Sequence, residues 1–362
     1  MQQPDPKEFM ILNKIVVFST IVIFIVLIAI YLFFISGKTG QYNDYEDYIF
    51  GTYVRIKIAS KVNPSTISKA IFSEMKRIES KYDAYSSNSV LYKINHSQDW
   101  IEVDDETLAL VDLALKIANQ TEGAFDPAIG RLVDLWGFSK FTERSATEQF
   151  SVPTVEKIAE ADSLSGYKNI AIDYMKKMVK TNGAWLDFGG MLKGYALKRA
   201  YQIAKEYDKN CHGFIEAGGQ IMILGPKYNK ANWIIGVRDP RGQPGENIKL
   251  VYMKSGSIAT SGDYERFFIV DGVRYHHIID PKTGYPARGA ISATVISEDP
   301  VIADAFSTAA FVLGRENWLL TRTLFPKYGA EVFLVYQEKT PEGLKTKTLQ
   351  TDNFVIWENP DK

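Results

Sequence analysis

Residues 301–314 read VIADAFSTAAFVLG, with Asp304 and Thr308 four positions apart. On a helix that spacing places both on one face. A carboxylate and a hydroxyl on one face can ligate a single hard cation and leave coordination positions for phosphate oxygens. The same pair also fits an aspartate near a helix start and a threonine bonded back to its own helix. In LDFGGMLKG, residues 186–194, Asp187 ends a short apolar stretch, Gly189 and Gly190 permit close backbone approach, and Lys193 heads a helix. Small residues followed by a helix start suit an anionic group. A glycine turn with an exposed lysine reads the same way.

Residues 255–286 hold a polar turn, Thr260-Ser261-Gly262-Asp263, and the pair His276-His277 ahead of Ile278-Ile279. Asp280-Pro281-Lys282-Thr283-Gly284 then has turn chemistry, Pro fixing φ and Gly tolerating φ > 0. A histidine at a strand end beside a polar turn is a general-base candidate, and equally a satisfied histidine in a hairpin. In TEGAFDPAIGRLVDLWGF, residues 121–138, Ala124-Phe125-Asp126-Pro127 leave a helix through Gly123, and Asp126 could be an ordinary turn aspartate.

Composition limits the chemistry. The chain has 362 residues, a formal net charge of -1 and a charged fraction of 23%. Nucleic-acid binders carry a basic footprint, so that class is set aside. The lone Cys211 permits no intramolecular disulfide and makes a thiolate zinc site an unlikely design. Any metal site would be rich in oxygen donors, which points to magnesium or calcium. No G-x-G-x-x-G and no G-x-x-x-x-G-K-[ST] occurs, so neither a standard dinucleotide fold nor a P-loop is expected.

The positioning elements follow from periodicity. Tyr53 to Ser60 alternates as a strand. Asn63-Pro64 looks like an N-cap and first helical residue, and Ile67, Ile71, Met75, Ile78 and Tyr82 form the apolar face of a helix. A second helix starts near Asp104-Asp105 and runs to Gly123, and a third opens at Ser151-Val152-Pro153. Further helices are expected over 191–207, 302–313 and 316–325. Strands are expected over 220–224, 233–237, 250–253, 257–259, 267–270, 293–296 and 331–336. Strands and helices do not alternate strictly, so the expected class is α+β with a mixed or antiparallel sheet and packed helices.

Together and in order, these segments resemble the ApbE family of FAD:protein FMN transferases, from Phe50-Gly51-Thr52 to Gly314. The match runs through DAYSSNSVLYKIN, GAFDPAIG, LDFGGMLKGYA, EAGGQIMILG, ATSGDYERFF, YHHIIDPKTGYP and ADAFSTAAFVLG. The resemblance implies Mg2+-dependent transfer of FMN from FAD to a Thr or Ser hydroxyl of a partner protein, an electron-transport subunit, with release of AMP. It implies magnesium ligands at Gly190, Asp304 and Thr308, and a base at His277. It also implies flavin-nucleotide contacts at Phe50, Tyr85, Ala124, Phe125, Asp126, Asp187, Lys193 and Ile278. An FAD hydrolase yielding FMN and AMP would use the same site, whereas the presence of Asp304, Thr308 and His277 argues against the other alternative, a non-catalytic flavin-binding protein. The chain departs from many relatives at Phe50 (Met elsewhere), His276 (Ser) and Lys198 (Asp).

Residues 15–36, IVVFSTIVIFIVLIAIYLFFIS, contain no charge over 22 positions. At about 1.5 Å per residue that length crosses a hydrocarbon core of about 30 Å. Lys7 and Lys14 precede the stretch and Lys38 follows it, which orients the amino terminus inward. The expected organisation is a cytoplasmic segment 1–14, a single transmembrane anchor 15–36 and a linker 37–47. A catalytic domain 48–340 and a C-terminal tail 341–362 follow, with the body on the extracytoplasmic side of a bacterial cell membrane.

Overall fold

The computed structural model describes residues 20, 22–28, 41–139 and 150–358. An eight-stranded sheet organises the body, numbered here in chain order. Its strands are β1 (Asn43–Ile49), β2 (Thr52–Ala59), β3 (His212–Ala217), β4 (Gln220–Gly225), β5 (Ser257–Gly262), β6 (Ser292–Ser297), β7 (Glu331–Thr340) and β8 (Gly343–Gln350). Each strand lies beside its successor and every pair is antiparallel. The expected α+β class holds, with the sheet antiparallel.

Period-two alternation gives this sheet two apolar faces. Val332 and Leu334 join the core under the helices, whereas Phe333 and Val335 join a second core behind the sheet. A two-stranded ribbon, Trp233–Arg238 with Asn247–Met253, and Phe354 cover that second face. On the first face lie α1 (Pro64–Tyr82), α3 (Leu192–Tyr207) and α4 (Pro300–Leu313), with α2 (Asp105–Gln120) contributing to the same core. The five apolar positions read along α1 are all fully buried. Asn63 caps this helix by accepting from the Ser65 N–H at 3.0 Å, and Asp104 caps α2 by accepting from the Thr107 N–H at 2.9 Å.

Two segments differ from the sequence reading. The supposed linker 37–47 becomes β1 from Asn43 onward, and the supposed tail 341–362 holds β8 and a short helical turn, Asp352–Glu358. Both β1 and β8 are edge strands dominated by polar side chains, which is how natural sheets block unwanted edge pairing. They therefore carry little hydrophobic alternation to read. Asp44 on β1 instead pairs with Arg55 and Lys57 on β2. A hairpin, Phe267–Val270 with Val273–His276, stands outside the main sheet, and its second strand was not anticipated. The expected membrane anchor 15–36 lies largely outside the described residues. Of it, 22–28 are helical with every side chain exposed, and among the described residues no helix is long and apolar enough to cross a membrane.

The close contact of α3 with α4 is made possible by Gly194. A Cβ there would lie 2.3 Å from the Pro300 carbonyl oxygen and 2.8 Å from the Asp304 Cβ. Alanine would otherwise favour the helix by about 1 kcal/mol. Because the obstructing atom is backbone, overpacking should win. Gly194→Ala is expected to lose about 1–3 kcal/mol of unfolding free energy in urea titration. A midpoint at or above wild type would show that α3 and α4 can separate without penalty.

Candidate functional site

Chain reversals at one end of the sheet gather the candidate residues. Phe50 and Gly51 both have positive φ (59° and 67°) and join β1 to β2 in a two-residue turn. Gly218 and Gly219 (58° and 82°) do the same between β3 and β4. Positive φ at both central residues is the hairpin geometry that glycine best permits. The second turn places Gln220 at the start of β4, and β5 ends at the same side of the sheet with Ser261 and Gly262.

Asp304 is buried on α4. Its Oδ2 accepts the Gly194 N–H at 2.8 Å, in the first turn of α3, and its Oδ1 accepts from Gln220 Nε2 at 2.5 Å. One turn along, a Cβ on Gly190 would lie 3.2 Å from Thr308 Oγ1 and 3.2 Å from the Phe125 ring. Residues 194 and 304 thus meet, as do 190 and 308. The three residues expected to hold a metal share one small region. Ser261 Oγ joins them, 2.8 Å from Ser307 Oγ and 3.4 Å from Thr308 Oγ1.

Burial pushes the Asp304 carboxyl above the usual carboxylate range, opposed by the nearby Lys193 charge and by its two hydrogen bonds. Among the described residues no ion pair reaches Asp304. A buried carboxylate without a cation at contact distance is costly unless something positive is bound. Carboxylate and hydroxyl oxygens are the donor set that magnesium takes.

The histidine pair divides cleanly. His276 is buried, its Nε2 lies 3.0 Å from the Ala287 carbonyl oxygen, and its Nδ1 accepts from the Ile278 N–H at 3.3 Å. Both nitrogens are used within the fold, and desolvation brings its pKa down to about 4. His277 is half-buried and its Nδ1 lies 3.2 Å from the Arg266 carbonyl oxygen, which also accepts the His277 N–H at 3.0 Å. A carbonyl can only accept, so Nδ1 carries the proton and Nε2 keeps its lone pair. Desolvation, then the Arg266 and His276 charges, hold its pKa well below the usual histidine value. Lys193 is near enough to act on both His277 and Asp304.

A second group surrounds Asp187. Tyr85 donates to Asp187 Oδ2 at 2.6 Å, and Asp187 Oδ1 accepts the Gly189 N–H at 2.7 Å. Burial and the Asp187 charge raise the Tyr85 pKa far above its ordinary value. Arg266 belongs to this group electrostatically: burial lowers its pKa, and Asp187 and Tyr85 oppose that. Asn95 fixes the strand-like approach to Asp187 by exchanging two bonds with the Leu186 backbone, at 2.8 and 2.7 Å. Sequence reasoning assigned no role to Arg266, Asn95 or Gln220. Each sits inside a quoted motif, yet a lone polar residue carries no periodic signal.

Other residues expected to contact the flavin nucleotide also bond within the fold. Asp126 accepts from the Ala128 N–H at 2.8 Å and the Tyr167 N–H at 3.0 Å, so its carboxylate organises the loop that presents Ala124 and Phe125. Ile278 is buried, with its carbonyl accepting from the Ala287 N–H. Phe50 packs against the core with its N–H bonded to Glu79 at 2.5 Å, and no hydrogen bond joins it to the Asp304 group. Lys198, where relatives often carry Asp, pairs with Asp299 at 2.6 Å, the residue that caps α4.

The family model described as "ApbE family" matches residues 50–326. This chain belongs to the ApbE family. Curated relatives named FAD:protein FMN transferase include one from Treponema pallidum, 29% identical over 84% of this chain and 87% of that protein. Another, from Haemophilus influenzae, is 28% identical over 87% of this chain and 88% of its own length. Among solved structures, the ApbE protein of Thermotoga maritima superposes with a TM-score of 0.81 at 46% identity, covering 88% of this chain and all of that one. The apo flavinyl transferase ApbE of Pseudomonas stutzeri gives 0.73 at 25% identity, covering 88% of this chain and 97% of that one.

The two histidines yield opposite expectations. A base works in its deprotonated form, and the folded pKa of His277 lies below 6.5, so its acid limb should fall below pH 6.5. His277→Asn should lower single-turnover transfer by about 10² to 10⁴. His276 is protonated near pH 6.5 when unfolded but near 4 when folded. Its contribution is therefore present above pH 6.5 and lost as pH falls toward 4. His276→Asn should lower stability at neutral pH and flatten that acid decline in urea titrations. A large loss of transfer in His276→Asn with stability intact would reverse the two assignments.

Proposed function

We propose that this protein is an FAD:protein FMN transferase. The single observation carrying this reading is the convergence of buried Asp304 with Thr308 and Gly190, with Lys193 near enough to act on both Asp304 and His277, in a chain of the ApbE family. FAD is the substrate. The acceptor is a Thr or Ser hydroxyl of a partner protein, for which an electron-transport subunit is the natural class.

The acceptor oxygen attacks the phosphorus of the FMN half of FAD. Its P–O bond forms as the pyrophosphate P–O bond to the AMP phosphate breaks, and AMP leaves with the bridging oxygen. His277 Nε2 takes the hydroxyl proton, the Arg266 carbonyl having fixed the ring in the tautomer that can do so. Lys193 and the open backbone at Gly189-Gly190 lie where pyrophosphate oxygens would be received. Phe125 and Tyr85 wall the same region. Magnesium, held by Asp304, Thr308 and Gly190, would supply charge neutralisation at the pyrophosphate. Transfer of this kind otherwise depends on positioning and electrostatics.

Residues 15–36 are proposed as a single membrane anchor with the body on the extracytoplasmic side of a bacterial cell membrane. Support comes from the uncharged stretch and its flanking lysines. The motifs all lie beyond it, so a chain starting at residue 37 should remain in solution without detergent and retain transfer. Loss of both folding and activity would mean that the segment packs on the body.

The defining experiment incubates the protein with FAD, Mg2+ and a flavinylation-motif domain, followed by mass spectrometry of that domain. An added FMN mass is expected. Free FMN and AMP without an adduct would identify a hydrolase. Asp304→Ala should abolish the magnesium-dependent reaction while the thermal unfolding transition remains cooperative. A variant with unchanged rate and magnesium dependence would remove Asp304 from the metal site.

A further inference from the structure

Gln220 is 4% exposed and begins β4 directly after the Gly218-Gly219 turn. Its side chain faces Asp304. A carboxylate can only accept, so the amide nitrogen is the atom that faces Oδ1, at 2.5 Å. That fixes the orientation of the amide and turns Oε1 away from the carboxylate. Oε1 is buried and has no hydrogen-bond partner among the described residues. Buried amide oxygens are rarely left without a donor, because they have given up water for nothing in return. The orphaned acceptor belongs to the amide that faces a buried carboxylate with no ion pair among the described residues. A hydrated divalent cation meets both needs, because magnesium usually retains several waters and each can donate.

We propose that Gln220 is a fourth residue of the cation site, a positioning residue that aims the Asp304 carboxylate through its N–H and offers Oε1 to a water of the bound cation. The inference rests on the reading of Asp304 as a metal ligand. It accounts for the two glycines before Gln220: with φ positive at both, the turn is tight enough to start β4 at the residue that must reach Asp304. It also accounts for an amide there, since only a group that both donates and accepts serves carboxylate and water together.

The test is a Mn2+ titration of the full chain without FAD, followed by electron paramagnetic resonance, for wild type, Gln220→Met and Asp304→Asn. Methionine keeps the length and apolar bulk and removes both polar atoms. Loss of a group that orients a metal ligand typically weakens affinity by about 10- to 100-fold, and that rise in Kd is expected for Gln220→Met. The rise in melting temperature on adding Mn2+ should shrink in parallel, whereas a merely structural residue would lower the melting temperature equally with and without the ion. If the methionine variant does not fold, Gln220→Asn, which keeps the amide but falls one methylene short, is expected to show the same weakening. An unchanged Mn2+ Kd in the folded variant, with binding lost in Asp304→Asn, overturns the role of Gln220 alone. Unchanged binding in both variants overturns the cation site itself.

Discussion

A buried carboxylate at the junction of two helices and a sheet is the constraint on which the rest of the site depends. Asp304 draws one hydrogen bond from the start of α3 and one from the start of β4. Each requires special backbone nearby. The helices can approach only because residue 194 has no side chain, and Gln220 is delivered by a turn with two residues at positive φ. Removing water from a carboxylate is unfavourable by several kcal/mol unless charge or hydrogen bonds replace it. Two neutral donors replace part of that loss. Among the described residues no basic side chain pairs with Asp304, so the remainder is what the cation of the proposed function would offset.

The histidine side of the site follows the opposite rule. There burial keeps His277 neutral, and the fold adds positive neighbours, Arg266 and then Lys193, that act the same way. A neutral imidazole beside cations remains a free base at pH values where an ordinary histidine would be half protonated. The same Lys193 lies near Asp304, so one charge acts twice: it favours the ionised carboxylate and disfavours the imidazolium. Both effects suit a reaction in which an anionic pyrophosphate arrives and a proton must leave an attacking hydroxyl.

Much of this was legible in the sequence, for stated physical reasons. The 301–314 helix announced itself through apolar spacing, and Asp304 and Thr308 fell on one face of it. The α1 stripe and most core strands were visible because burial imposes their period. The strands at 43–49 and 343–350 were not visible, since a polar edge strand resembles a linker. The choice between His276 and His277 was equally closed to pattern reading. Adjacent histidines differ only in which carbonyl each ring meets, Ala287 or Arg266, and both contacts span 11 residues of chain. Asp126 accepts from two loop amides, a structural role that its motif did not announce.

The topology explains why such distant segments can share one site. Neighbouring strands β2 and β3 are consecutive in the sheet but separated in sequence by residues 60–211. That excursion builds α1, α2, the loop of Phe125 and the approach to α3 before the chain returns to pair beside its starting strand. The sheet itself remains a simple antiparallel meander, whose turns at Phe50-Gly51 and Gly218-Gly219 fall at one end. The excursion is inserted at the opposite end, between Ala59 and His212, which pair with each other, so every strand pairing stays intact. Residues from the excursion, such as Gly190 against Thr308 of α4, reach the site at the end that carries the Phe50-Gly51 and Gly218-Gly219 turns. The register of the sheet fixes the residues of the later strands, and the contact of α3 with α4 at Gly194 fixes those of the excursion against them. A displacement at that single crossing would move Gly190 from Thr308 and Lys193 from Asp304 together, so packing of two helices sets the electrostatics of the whole site.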